Sequence, residues 1–107
     1  MMTMKFRSLF IAHTPDAQKD EHYTKIETEK YVLHINLVQE QSEALQIAEQ
    51  KAEKAGVQSI ILCPGFTHEQ VAEISEKLPN VGVTVARGDG PSSRIAKEAM
   101  EKANWFE

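Results

Sequence analysis

A single cysteine, Cys63, stands in the whole chain. An internal disulfide is therefore excluded, and a reducing, cytoplasmic compartment is the default expectation. Long apolar runs are missing as well. Nothing approaches the roughly 20 consecutive apolar residues of a membrane span, and the opening MMTMKFRSLFIAH has an apolar stretch too short and too soon interrupted for a signal peptide. Nor is there an excess of positive charge. Twelve Lys and Arg face 16 Asp and Glu, for a net charge of −4 and a pI near 5.6. The basic residues are scattered among acids, so the electrostatic footprint of a nucleic-acid binder is absent. His-x-x-x-His and Cys-x-x-Cys spacings do not occur, so no metal site is expected. The Gly-x-Ser-x-Gly elbow, the Gly-x-Gly-x-x-Gly fingerprint and the phosphate-loop pattern are also absent, and the sequence names no cofactor.

What is present suits one small globular domain over residues 1–107. Hydrophobic residues make up 41% and charged residues 26%, an ordinary balance for a chain with one core. Lys5 to His13 reads as a first strand. The polar stretch from Pro15 to Ile26 reads as a weak helix opened by Pro15 and Asp16. Lys30 to Val38 alternates, with Tyr31, Leu33, Ile35 and Leu37 on one face and Val32, His34, Asn36 and Val38 on the other, as in a strand with unequal faces near a sheet edge.

Ser42 to Ala55 carries Leu45, Ala48, Ala52 and Ala55 at helical spacing, and Gly56 supplies a left-handed terminator. Val57 to Cys63 is apolar on both faces, the pattern of a strand covered on both sides. Thr67 and Gln70 form a capping box for a helix to Leu78, with Val71, Ile74 and Leu78 inward. VGVTVA is dense in β-branched residues and reads as a strand. After Gly88-Asp89-Gly90, Pro91 opens a last helix to about Ala103, with Ile95, Ala99 and Ala103 inward.

Alternation of strands and helices implies parallel strands and right-handed crossovers. The expected fold is a small three-layer α/β structure, flavodoxin-like or Rossmann-like, with four mainly parallel strands in the order 2-1-3-4 and helices on both faces. In such a sheet the C-terminal ends of strands 1 and 3 flank a crevice favoured by ligands. His13-Thr14 after strand 1 and Cys63-Pro64-Gly65 after strand 3 would meet there, and the next strand would add Arg87, Gly88, Asp89 and Gly90.

Each candidate has a plain structural reading beside the functional one. A lone Cys at the end of a buried strand is most often a small apolar filler; as a nucleophile, Cys63 would need His13 or His68 as its base. Gly65 serves either a positive φ or close backbone approach to a ligand. Arg87 and Arg94, with Ser92 and Ser93, surround a helix start and suit a carboxylate or phosphate; equally, Gly-Asp-Gly-Pro makes a turn and the serines cap. Asp89 or Glu69 is placed to neutralise Arg87. His34 reads as a surface or interface residue.

The segments ILCPGFTHEQVAEI and VGVTVARGDGP resemble the domain-of-unknown-function family 6506. Cys63, Gly65, Phe66, Val81-Gly82-Val83 and Asp89 match the family's Cys-Gly-Gly-Phe-like turn, Val-Gly-Val strand and Asp-containing loop. Pro64 and Thr67 stand where glycines are usual, and ARGDGPSS departs from the family's Phe-Asp loop. The resemblance implies a compact α/β fold and a rim at Cys63 to Phe66, without a reaction.

The combined expectation is a protein that binds a small anionic or polar ligand at the C-terminal rim, with His13, Cys63, Gly65, Phe66, Arg87, Gly88, Asp89, Ser92 and Ser93 as contacts. An enzyme with nucleophilic Cys63 and a ligand-free interaction module are the alternatives. A homodimer is expected, with Trp105, Phe106 and the N-terminal methionines, Met1, Met2 and Met4, at its interface.

Overall fold

A computed structural model describes residues 4–87 and 90–106, with the side chains of 90 and 91 not among them. The chain runs β1 (Phe6–His13), β2 (Tyr23–Glu27), β3 (Tyr31–Val38), α1 (Gln41–Lys54), β4 (Ser59–Leu62), α2 (His68–Lys77), β5 (Gly82–Val85) and α3 (Gly90–Lys102). One mixed sheet has the order β2-β3-β1-β4-β5. β1 pairs in parallel with β3 and β4, and β4 with β5. The four strands read from the sequence thus lie in the expected order.

The fifth strand corrects the expected count and replaces the weak helix. Tyr23, Thr24 and Ile26 are strong β-formers, and they pair antiparallel with β3, Thr24 opposite Ile35 and Ile26 opposite Leu33. The turn is closed by Thr28, whose Oγ1 accepts from the N–H groups of Lys30 and Tyr31 at 3.3 and 3.0 Å. Pairing with an adjacent strand through a short self-bonded turn outweighs a marginal helix signal.

This replacement changes the layers. α1 and α2 cover one sheet face, where Leu9, Ile11, Val38, Ile60 and Leu62 pack on Ala44, Ile47, Ala48 and Ile74. The α1 stripe is rotated from the expected one, with Ile47 at its centre and Leu45 at its flank. Gly56 takes the left-handed conformation, φ 70°. In α2 the capping box forms as read: Gln70 N–H donates to Thr67 Oγ1 at 3.1 Å, and Thr67 N–H to Gln70 Oε1 at 2.9 Å.

The other face lacks the helix that a β1-to-β3 crossover would have supplied. Among the described residues only α3 and the turn after it approach it, at one end. Ile95 is 65% exposed, and Ala99 and Ala103 are also exposed, so the inward stripe expected for this helix is not covered within one chain. The radius of gyration is 14.7 Å, with extents of 51 × 28 × 28 Å. A compact chain of this length would give about 13 Å, so α3 stands away from the body.

Against expectation, His34 is not a surface residue. It lies with Val32, Asn36 and Val38 on the face under α1, and both His34 and Asn36 are buried. Among the described residues no helix is long and apolar enough to cross a membrane.

Candidate functional site

The ends of β1 and β4 lie side by side, because Ile11 pairs with Leu62 and Cys63 N–H donates to Ile11 O at 3.1 Å. The next residues on the two strands, Ala12-His13-Thr14 and Cys63-Pro64-Gly65, therefore share one rim. In return, His13 N–H donates to Cys63 Sγ at 3.3 Å. Phe66 N–H donates to Cys63 O at 3.2 Å, which closes the turn before the α2 cap.

A cavity of about 790 Å³ opens at this rim, between the bare sheet face and α3. Phe10, Ala12 and the Cys63 to Gly65 turn form its floor; Ser92, Ser93, Ala96 and Met100 form the facing wall. Its volume is that of a small-molecule site. The chain beyond α3 closes one end. Asn104 takes φ 59°, a conformation Asn tolerates at a helix terminus, and Trp105 N–H donates back to Met100 O at 2.9 Å. That turn brings Trp105 and Phe106 onto the cavity lining.

Two polar atoms beside the cavity are buried without a partner among the described residues: His13 Nε2 and Thr14 Oγ1. Such atoms are costly unless something meets them. Burial pushes the His13 imidazole below its ordinary pKa, with a hydrogen bond to the Gly65 backbone pulling the other way. The ring stacks on Phe66, centroids 3.9 Å apart at 17°.

The expected site residues do not all lie together. His13, Cys63, Gly65, Ser92 and Ser93 are gathered on the cavity. Phe66 is fully buried and supports His13 from the core. Arg87 reaches over the turn and donates Nη1 to Pro64 O at 3.0 Å, and among the described residues it forms no ion pair with Glu69. His68 and Arg94 are exposed. Gly88 and Asp89 lie outside the described residues.

Gly65 does not take a positive φ. A Cβ there would stand 3.5 Å from Cys63 Sγ and 3.9 Å from His13 Nδ1, so the glycine leaves room between thiol and imidazole. Lys97 escaped the sequence reading, although it follows Ser93 by four residues on one helix face. Thr14 lies where the sequence places the end of strand 1, on the rim beside His13, and its hydroxyl adds a polar contact that the residue pattern does not single out.

A second, polar hollow of about 480 Å³ lies between β2–β3 and α1, lined by Lys19, Tyr23, Asn36 and Lys51 among others. No group of three or more His, Cys, Asp or Glu residues suited to a metal ion occurs among the described residues.

No curated protein and no solved structure matches the chain. A family model described as Family of unknown function (DUF6506) matches residues 6–101. The matched span takes in the whole sheet, the Cys63 to Phe66 turn and nearly all of α3, and the chain belongs to this uncharacterised family.

Proposed function

We propose that the protein binds a small ligand with an apolar body and a polar or anionic end in the cavity at the C-terminal rim of the sheet. The observation that carries this reading is the pairing of a largely apolar cavity with two unpartnered polar atoms, His13 Nε2 and Thr14 Oγ1. An apolar body would lie against Phe10, Ala12, Met100 and Trp105. The polar end would meet His13, Thr14 and the serines at 92 and 93, and Lys97 would supply the positive charge for an acid. Arg87 holds the Pro64 turn in this scheme.

The parallel core β3-β1-β4-β5 is flavodoxin-like in this reading, with the ligand at its switch point. We propose a cytoplasmic location as well and, independently of the ligand, a homodimeric state.

An enzyme using Cys63 as nucleophile has less support. Cys63 Sγ accepts from the backbone N–H of His13, and among the described residues no hydrogen bond joins an imidazole ring to the thiol as a base would require.

Thermal-shift screening with medium-chain carboxylates, aromatic acids and organic phosphates tests the binding reading. A ligand at a hundred times its Kd should stabilise the fold by about 2.7 kcal/mol. Thr14→Val and Lys97→Ala should weaken that gain while leaving the unliganded fold nearly as stable. The absence of any shift across all three classes would defeat the proposal.

A further inference from the structure

The most apolar surface of β3 is the one left bare. Tyr31, Leu33, Ile35 and Leu37 are only partly buried, whereas the face with His34 and Asn36 lies under α1. Pairing extends the bare face through Phe6 and Phe10 on β1, Ile61 on β4 and Ile26 on β2. Phe6 and Ile26 are 52% and 55% exposed. The strand positions on this face carry no acidic or basic side chain. A parallel sheet normally has both faces covered, and an uncovered one of this kind marks an interface.

We infer that the occupant is a second copy of this chain, packed about a two-fold axis so that α3 of each copy lies over the half of the sheet that the other's α3 leaves bare. Three observations select this partner. First, the same chain offers both unsatisfied surfaces, the sheet face and the α3 stripe of Ile95 and Ala99, and an isologous contact satisfies both at once. Secondly, α3 shares the cavity with the sheet at Phe10 and Ala12, toward the C-terminal end of β1, while Phe6 at the other end stays exposed. Thirdly, the area is that of a small interface. At about 4.8 Å between strands and 3.3 Å per residue, the bare half of the sheet face spans about 225 Å², and one side of α3 adds about 200 Å². Side-chain relief raises this projected area toward the roughly 600 Å² per partner at the low end of specific interfaces. The chain's net charge of −4 would oppose self-association elsewhere on the surface, but not across an uncharged face.

The second copy also closes the open side of the cavity and adds apolar wall to it; this part rests on the binding reading, whereas the self-association does not.

Sedimentation equilibrium of the full chain at tens of micromolar tests the assembly. The wild type should be a dimer. Ile95→Glu and Ile26→Glu change side chains more than half exposed in the single chain, so each should keep its circular dichroism spectrum and sediment as a monomer. A wild-type monomer overturns the inference, as does a dimer that survives both substitutions. Decanoate then reads the cavity. Calorimetric titration should give one site per chain in the wild type and at least tenfold weaker binding in monomeric Ile95→Glu. Equal affinity in the two would overturn the shared wall and leave the binding reading standing; no decanoate binding in either would remove the shared wall along with the apolar-acid form of that reading, and leave the dimer untouched.

Discussion

His13 lies flat against Phe66, ring centroids 3.9 Å apart and planes 17° from parallel, so a core side chain fixes the orientation of the imidazole that lines the cavity. Phe66 is fully buried. Phe66→Ala should therefore cost about 3–5 kcal/mol and let the imidazole rotate into solvent. Phe66→Leu should cost less while still losing the stacking. Chemical denaturation measures the first effect, and the histidine ring resonances of the Leu variant report the second.

Titration of the imidazoles gives a second expectation. Burial lowers the pKa of His13. It also lowers that of His34, where desolvation acts first and Lys51, Lys25 and Arg7 add repulsion. Both groups take up protons more readily when unfolded. Stability is thus fully present above about pH 6.5, the unfolded value, and declines as pH falls from there toward the lower folded values. Melting temperatures should drop between neutral and mildly acidic pH, and His34→Asn should flatten the drop. The Lys5–Glu27 ion pair acts in a lower window, because Lys5 depresses the Glu27 carboxyl, whose contribution is lost only as pH falls through the carboxylate range.

Gly65→Ala separates fold from site. Its backbone needs no positive φ, and the new Cβ meets Cys63 Sγ and His13 only at ordinary contact distances. Stability should change by less than about 0.5 kcal/mol. The added methyl narrows the cavity floor, so ligands found by thermal shift should bind more weakly to this variant. A loss of stability with unchanged binding would contradict the geometry.

Cys63 is partly buried, and its sulfur is engaged by the His13 N–H. Native-state labelling by a thiol reagent should be slower than labelling in denaturant, and slower again with a ligand in the cavity. Cys63→Ala should cost about 1 kcal/mol, as a small core truncation does.

The α2 cap offers the simplest stability test. Thr67 and Gln70 bond reciprocally at 3.1 and 2.9 Å. Thr67→Ala should lower stability by about 1 kcal/mol, measured as a shift in denaturation midpoint without a change in slope.

Local pattern was enough for much of this architecture. The alternation of β3, the doubly apolar centre of β4, the capping box at Thr67 and the left-handed Gly56 are all short-range consequences of residue type, and each element formed where its pattern lay. The parallel order followed from the rules for crossovers. The rim of His13, Cys63 and Gly65 followed from the order, because chain ends on neighbouring parallel strands must lie together.

Tertiary structure decided what depends on competition between distant segments. Residues 23–27 pair with β3 because that strand had a free edge, and a weak helix signal says nothing of a free edge. With that helix gone, one sheet face lost its cover, which is why Ile95 stands exposed while His34 is buried. Periodicity tells which residues share a face; it does not tell which face a helix will cover. Phe66 as the support of His13 and Arg87 as a donor to the Pro64 carbonyl likewise arise from chain segments meeting in space. Their spacing along the sequence carries no trace of those contacts, because the distances that matter are set by strand pairing rather than by sequence separation.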